Sequence, residues 1–211
     1  TGDWKLDEQP VIGKPSTAAQ LKAVGDEGIL ALVCDSTNAF NNEDSGSEGS
    51  VKADLLKAVN AARGRVVVTT FASNAARLQT LAEVAHEAGR KLCIAGRSLN
   101  RIIQASQATG YLKNIPELVD MEAVDAHPRN QVMVLATGGQ GEARAALARI
   151  AEGNHPVKLE EGDTVIFSSK QIPGNEVAIG RIMNRLARQN ILTVTEKQAH
   201  VHVSGHPGRP E

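Results

Sequence analysis

Five short runs rich in β-branched residues recur along the chain with helical stretches between them: Ile29 to Cys34, Val66 to Thr70, Lys91 to Ala95, Val132 to Ala136 and Thr164 to Phe167. Each run is apolar on both alternating faces, which is the mark of a parallel strand covered on both sides rather than of a half-wet antiparallel one. In the intervals, Val51, Leu55, Ala58, Val59 and Ala62 fall on one helical face, as do Leu78, Leu81, Ala82, Ala85 and Ala88, and later Ile179, Ile182, Met183 and Leu186. Strand and helix taking turns in this way predict an α/β fold, an open and mostly parallel doubly wound (Rossmann-like) sheet with helices on both faces. A last pair, Ile191 to Val194 and Val201 to Val203, could add strands at an edge.

The turn after each predicted strand is small, polar or glycine-containing: Asp35-Ser36-Thr37-Asn38, Thr70-Phe71-Ala72-Ser73-Asn74, Gly96-Arg97-Ser98, Thr137-Gly138-Gly139-Gln140-Gly141-Glu142 and Ser168-Ser169. Doubly wound sheets bind ligands outside the carboxyl ends of their strands, so these turns are expected to line one crevice. Within it, Gly138 to Gly141 could cradle a phosphate on backbone amides, or could be a bare tight turn; it matches neither the dinucleotide fingerprint nor a Walker loop. Asp35 could orient a base or a metal-bound water, or could simply cap the turn. On an extended strand His200, His202 and His206 would share one face. Three imidazoles alone make a weak metal site, and the break at Gly205 and Pro207-Gly208 suits His206 to presenting a single catalytic ring.

Composition narrows the class of partner. The 211 residues carry a net charge of −1 and only 2% aromatics, which leaves neither a basic field over the whole surface nor a row of stacking platforms. A free-standing nucleic-acid binder is therefore disfavoured, although a local phosphate groove is not. No run approaches the roughly 18 apolar residues of a membrane span, and the start has neither the basic nor the apolar part of a secretory signal. Cys34 and Cys93 both sit inside apolar runs and are expected to be buried and reduced, which points to the cytoplasm. The polar stretch from Asn38 reads as a loop before a helix capped by Ser50, and a short amphipathic piece around Ala19 to Val24 precedes the first predicted strand.

The strand-end phrases taken in order resemble the ribonuclease J family, in the β-CASP branch of the metallo-β-lactamase superfamily. They are Thr1-Gly2-Asp3-Trp4-Lys5, Asp35-Ser36-Thr37-Asn38-Ala39, Thr70-Phe71-Ala72-Ser73-Asn74, Gly96-Arg97-Ser98, Thr137 to Glu142, Ser168-Ser169 with Ile172-Pro173-Gly174-Asn175-Glu176, and His202-Val203-Ser204-Gly205-His206. The resemblance implies roles for particular residues. Asp3 matches the aspartate that bridges two catalytic zinc ions, Asp35 the acidic residue of the first β-CASP motif, and His206 the histidine that protonates the leaving 3′-oxygen. Ser204 and Gly205, with Ser168 and Ser169, match a holder of RNA phosphates.

It also implies that residues 1–28 connect from a metallo-β-lactamase domain, that 29–206 form the β-CASP domain and that 207–211 lead back. The family's His-x-His-x-Asp-His metal motif belongs before Thr1, and none of it is in this sequence. The expected function is thus the substrate-facing part of a zinc-dependent ribonuclease acting from 5′ ends and internally, inactive as this segment alone, with RNA as partner and self-association of the intact protein. Two other readings stand beside it: a non-catalytic RNA-binding or docking module, which predicts affinity that falls steeply with salt, and a nucleotide-binding α/β enzyme, which rests on fold analogy only.

Overall fold

A computed structural model describes residues 2–211; Thr1, the first residue of the amino-terminal phrase, lies outside the described residues. The helices are α1 (Ala18–Asp26), α2 (Lys52–Ala61), α3 (Ala75–Glu87), α4 (Arg97–Ala108), α5 (Ala146–Ala151) and α6 (Glu176–Arg188). The strands are β1 (Val66–Thr69), β2 (Lys91–Ala95), β3 (Leu118–Val119), β4 (Val132–Ala136), β5 (Thr164–Phe167) and β6 (Leu192–Val194). They form one sheet in the order β3-β2-β4-β1-β5-β6, with every ladder parallel.

Period-two alternation divides the core in two. Val66, Val68, Leu92, Ile94, Met133, Leu135 and Ile166 point to the face covered by α2, α3 and α4. Val67, Cys93, Val132, Val134, Val165 and Phe167 point to the other, under α5 and α6. Fully burying one such aliphatic side chain contributes about 1.5–3 kcal/mol, so the two layers together hold the sheet in register. Val66 faces Met133 on one side and Thr164 on the other, so β1 is the central strand on which the carboxyl-end turns converge.

The run Ile29 to Cys34 is not a strand. None of the described ladders includes it, and Ile29, Leu30, Leu32 and Val33 are 53%, 102%, 72% and 78% exposed. Cys34 is exposed accordingly, against the expectation of burial, whereas Cys93 is buried. The run has strand propensity, but a strand also needs a neighbour to complete its hydrogen bonds and cover its faces. Val201 to Val203 also forms no ladder, although Val201 and Val203 are buried against the α2–α4 layer.

The helix-start signal at Ser50 falls one turn late. The cap is Ser47, whose hydroxyl accepts the Gly49 N–H ahead of a 3-10 turn at Glu48–Val51. The turn from Gly138 to Gly141 is built for close packing: Gly138 and Gly141 have φ of 113° and 80°, and a Cβ on Gly141 would meet Ala178 Cβ at 2.7 Å.

Candidate functional site

Three segments far apart in sequence meet beyond the carboxyl ends of the strands. Ligand-type atoms of Asp3, Asp35 and His206 all lie within 4.8 Å of one another. The tightest contact is between His206 Nδ1 and Asp35 Oδ2, 2.7 Å apart. With Asp35 ionised, Nδ1–H donates, which fixes the tautomer and leaves Nε2 as the ring atom free to exchange a proton.

The turn after residue 34 shapes the carboxylate. Thr37 donates to Asp35 Oδ1 twice, from its hydroxyl at 2.6 Å and its backbone N–H at 2.8 Å. Together with the His206 contact, these bonds hold the Asp35 carboxyl down at about 2. Asp35 is therefore an anion throughout the physiological range. Two neighbours fix the imidazole's backbone: Asn38 Nδ2 donates to Ser204 Oγ at 2.9 Å and to the His206 carbonyl at 3.1 Å. The Ser204 hydroxyl in turn accepts the His206 N–H at 3.1 Å, and Asn38 and Gly208 form a parallel bridge.

Through His206 this group adjoins a cavity of about 690 Å³ lined also by Lys5, Asn38, Ser73, His202 and Ser204 among others, with Gly205 exposed on its rim. Lys5 Nζ donates to the Ser204 carbonyl at 2.8 Å, tying the amino-terminal segment to the loop that carries His206. Burial pushes the Lys5 ammonium down, partly countered by Asp7 and Glu48.

The predicted site residues separate into two sets. Asp3, Asp35, Ser204, Gly205 and His206 are brought together. Ser168 and Ser169 are not among them. The Ser168 hydroxyl is turned inward, donating to the Val201 carbonyl at 2.7 Å and accepting from Arg77 Nη1 at 2.7 Å. Ser169 is buried, lines two smaller cavities of about 110 and 130 Å³, and its Oγ has no hydrogen-bond partner among the described residues. The row of three histidines does not converge either. His200 is exposed and pairs with Ser50 Oγ at 2.8 Å. His202 faces the cavity with its basicity depressed to about 3, first by burial and then by Arg77, Lys170 and Lys5. Lys5, Asn38 and Ser73 had no assigned role from sequence, although each lies inside one of the phrases that carry the family resemblance; only Ser73 follows a strand, β1.

A carboxylate pair and an imidazole are suitable zinc ligands, but a zinc ion takes three or four protein ligands, and one nitrogen of His206 is committed to Asp35. The donors are thus of a kind that a metal accepts, but the described residues do not by themselves complete a zinc site. Among the described residues no helix is long and apolar enough to cross a membrane.

The family model of the ribonuclease J β-CASP domain matches residues 63–186, more than half of the chain. Ribonuclease J of Sinorhizobium meliloti is 44% identical over 212 residues, covering 100% of this chain and 38% of the relative. Ribonuclease J 1 of Streptococcus pyogenes is 40% identical over 215 residues, and ribonuclease J of Thermus thermophilus 41% over 212, again across 100% of the chain. The chain spans only 37–38% of the length of these relatives. With the matched region extending from before β1 almost to the end of α6, the chain belongs to the ribonuclease J β-CASP domain family.

Proposed function

We propose that the intact protein is a metal-dependent ribonuclease that hydrolyses RNA phosphodiesters from 5′ ends and internally, and that this chain forms the wall of the site that faces the substrate. The observation that carries the reading is the meeting of Asp3, Asp35 and His206 beside a cavity large enough for a nucleotide. In this reading Asp35 accepts the His206 Nδ1–H and orients the ring, and Nε2 delivers a proton to the leaving 3′-oxygen. The carboxylate also stabilises the charged ring, as an acidic partner does in other acid–base pairs. Ser204 and Gly205 hold the phosphate against the ring from the adjoining backbone.

Asp3 would hold zinc from this side, and the bound metal supplies an activated water and charge stabilisation at the phosphate. Because the remaining ligands are not in this chain, the segment alone cleaves no RNA. RNA as partner, a cytoplasmic location and self-association of the intact protein belong to the same proposal.

The test uses the chain and the intact protein side by side. Supplied with zinc, the chain is expected to give no turnover of end-labelled RNA above a His206→Ala control. In the intact protein, His206→Ala is expected to lower kcat by on the order of 10²–10⁴, the usual worth of a positioned acid or base, with KM little changed. An intact His206→Ala protein that turns over as fast as its parent would remove the reading.

A further inference from the structure

Arg77, in the first turn of α3, is fully buried and does not belong to the Asp3, Asp35 and His206 group. All three of its guanidinium nitrogens are engaged. Nε and Nη2 grip the two carboxylate oxygens of Glu48 at 2.5 and 3.0 Å. Nη1 donates to the Ser168 carbonyl and hydroxyl at 3.2 and 2.7 Å and to the Val201 carbonyl at 3.1 Å.

Two further links turn these contacts into a closed circuit. Asp7 accepts the Glu48 N–H at 2.8 Å and the Ser47 hydroxyl at 2.6 Å. Two residues earlier, Lys5 donates to the Ser204 carbonyl. The circuit therefore runs from Asp7 through Glu48 and Arg77 to Val201, along the backbone to Ser204, and back through Lys5. Lys5, Asp7, Glu48 and Ser204 all line the large cavity, so the circuit frames it.

The stretch from Val201 to His206 belongs to no ladder, and a ladder is what normally fixes the register of an extended segment. Here that task falls to the fork of a guanidinium, which presents donors in fixed directions that an ammonium cannot reproduce. A buried ion pair is weak evidence for stability, since apolar residues often do as well, and its best-attested use is to set register.

We propose that Arg77 is a positioning residue for the Asp35–His206 pair, setting the register of 201–206 against the segment that carries Asp3. The choice of that pair as the working one rests on the ribonuclease reading. The test reads the geometry of the pair and not RNA cleavage, so either proposal can fail without the other.

Arg90 supplies a matched control. It too is buried and forks onto carbonyls, those of Gly64 and Val132 through Nη1 and of Val59 and Ala62 through Nη2, but it sits just before β2 at the amino end of the sheet. The chain is labelled with ¹⁵N, and the His206 ring is observed by long-range ¹H–¹⁵N NMR at one fixed pH, with urea unfolding measured on the same samples. Arg77→Lys is expected to abolish the Nδ1–H signal of the bond to Asp35; Arg90→Lys should lower the unfolding midpoint and leave that signal in place. Glu48→Gln, a milder change at the other end of the fork, should weaken the signal in the same direction. The proposal is overturned if folded Arg77→Lys keeps the parent signal, or if Arg90→Lys disturbs it equally. Should Arg77→Lys not fold, an unchanged signal in Glu48→Gln overturns it.

Discussion

Val66 to Thr69 and Ile29 to Val33 look interchangeable as sequences, each a short uninterrupted run of strand-forming residues ahead of a polar turn. In the fold they part company. The first is central strand β1, with Val66, Val67, Val68 and Thr69 all at 0% exposure, and the second lies on the surface in no ladder. Both runs are mainly apolar; what lies next to them differs. Val66 to Thr69 has β4 on one side, β5 on the other and helices over both faces, whereas Ile29, Leu30, Leu32 and Val33 are each more than half exposed. An apolar run states a requirement for cover, and only the rest of the fold shows whether this chain meets it.

The contrast can be broken most sharply by mutation. Ile166→Ala in β5 removes a fully buried side chain and is expected to cost roughly 2–5 kcal/mol. Leu32→Ala, at a position 72% exposed, should change stability by no more than about 0.5 kcal/mol. Urea unfolding of the two variants decides it: equal losses would mean that the surface run is packed in solution.

The consequence of burial is sharpened through pH at His202. The partly buried His202 is neutral in the folded state down to about 3, while an unfolded histidine protonates near 6.5. Its contribution to stability is therefore complete above about pH 6.5 and drains away as the pH falls toward 3, because the unfolded chain takes up the proton first. His202→Asn is expected to flatten the fall in unfolding midpoint between about pH 6 and about pH 4. A His202→Asn curve as steep as the parent's would refute the burial argument.

The smallest effect concerns no stability change at all. Burial raises the Cys93 thiol to about 11, whereas Cys34 is exposed. A thiol reagent at neutral pH is expected to add one label rapidly at Cys34 and a second only as the chain unfolds. Mass spectrometry of the labelled protein checks the order, and simultaneous labelling would place the two cysteines in like surroundings.

The central sheet was legible because burial on both faces writes itself into consecutive residues: β1, β2, β4 and β5 lie where their β-branched runs predict, and β6 inside the predicted edge pair. Strand β3, only Leu118–Val119, is too short to carry a pattern. The five residues that meet at the candidate site were visible through family resemblance, not through strand-end position, since neither Ile29 to Cys34 nor Val201 to Val203 is a strand. What could not be read was direction. Ser168 and Ser169 occupy a strand end as expected, yet the Ser168 hydroxyl faces inward to satisfy Val201 and Arg77. Arg77 could not be read either, because spacing within α3 says nothing about Glu48, Ser168 and Val201 arriving from elsewhere.

Asp35 and His206 are separated by 171 positions, and the sheet between them is built from much shorter-range pairings. During synthesis, domains fold as the chain emerges from its amino end. A nascent chain can thus assemble most of its strands while its aspartate still waits for an imidazole that the ribosome has yet to make. The contact between the two ends therefore cannot form until every strand of the sheet has already been made.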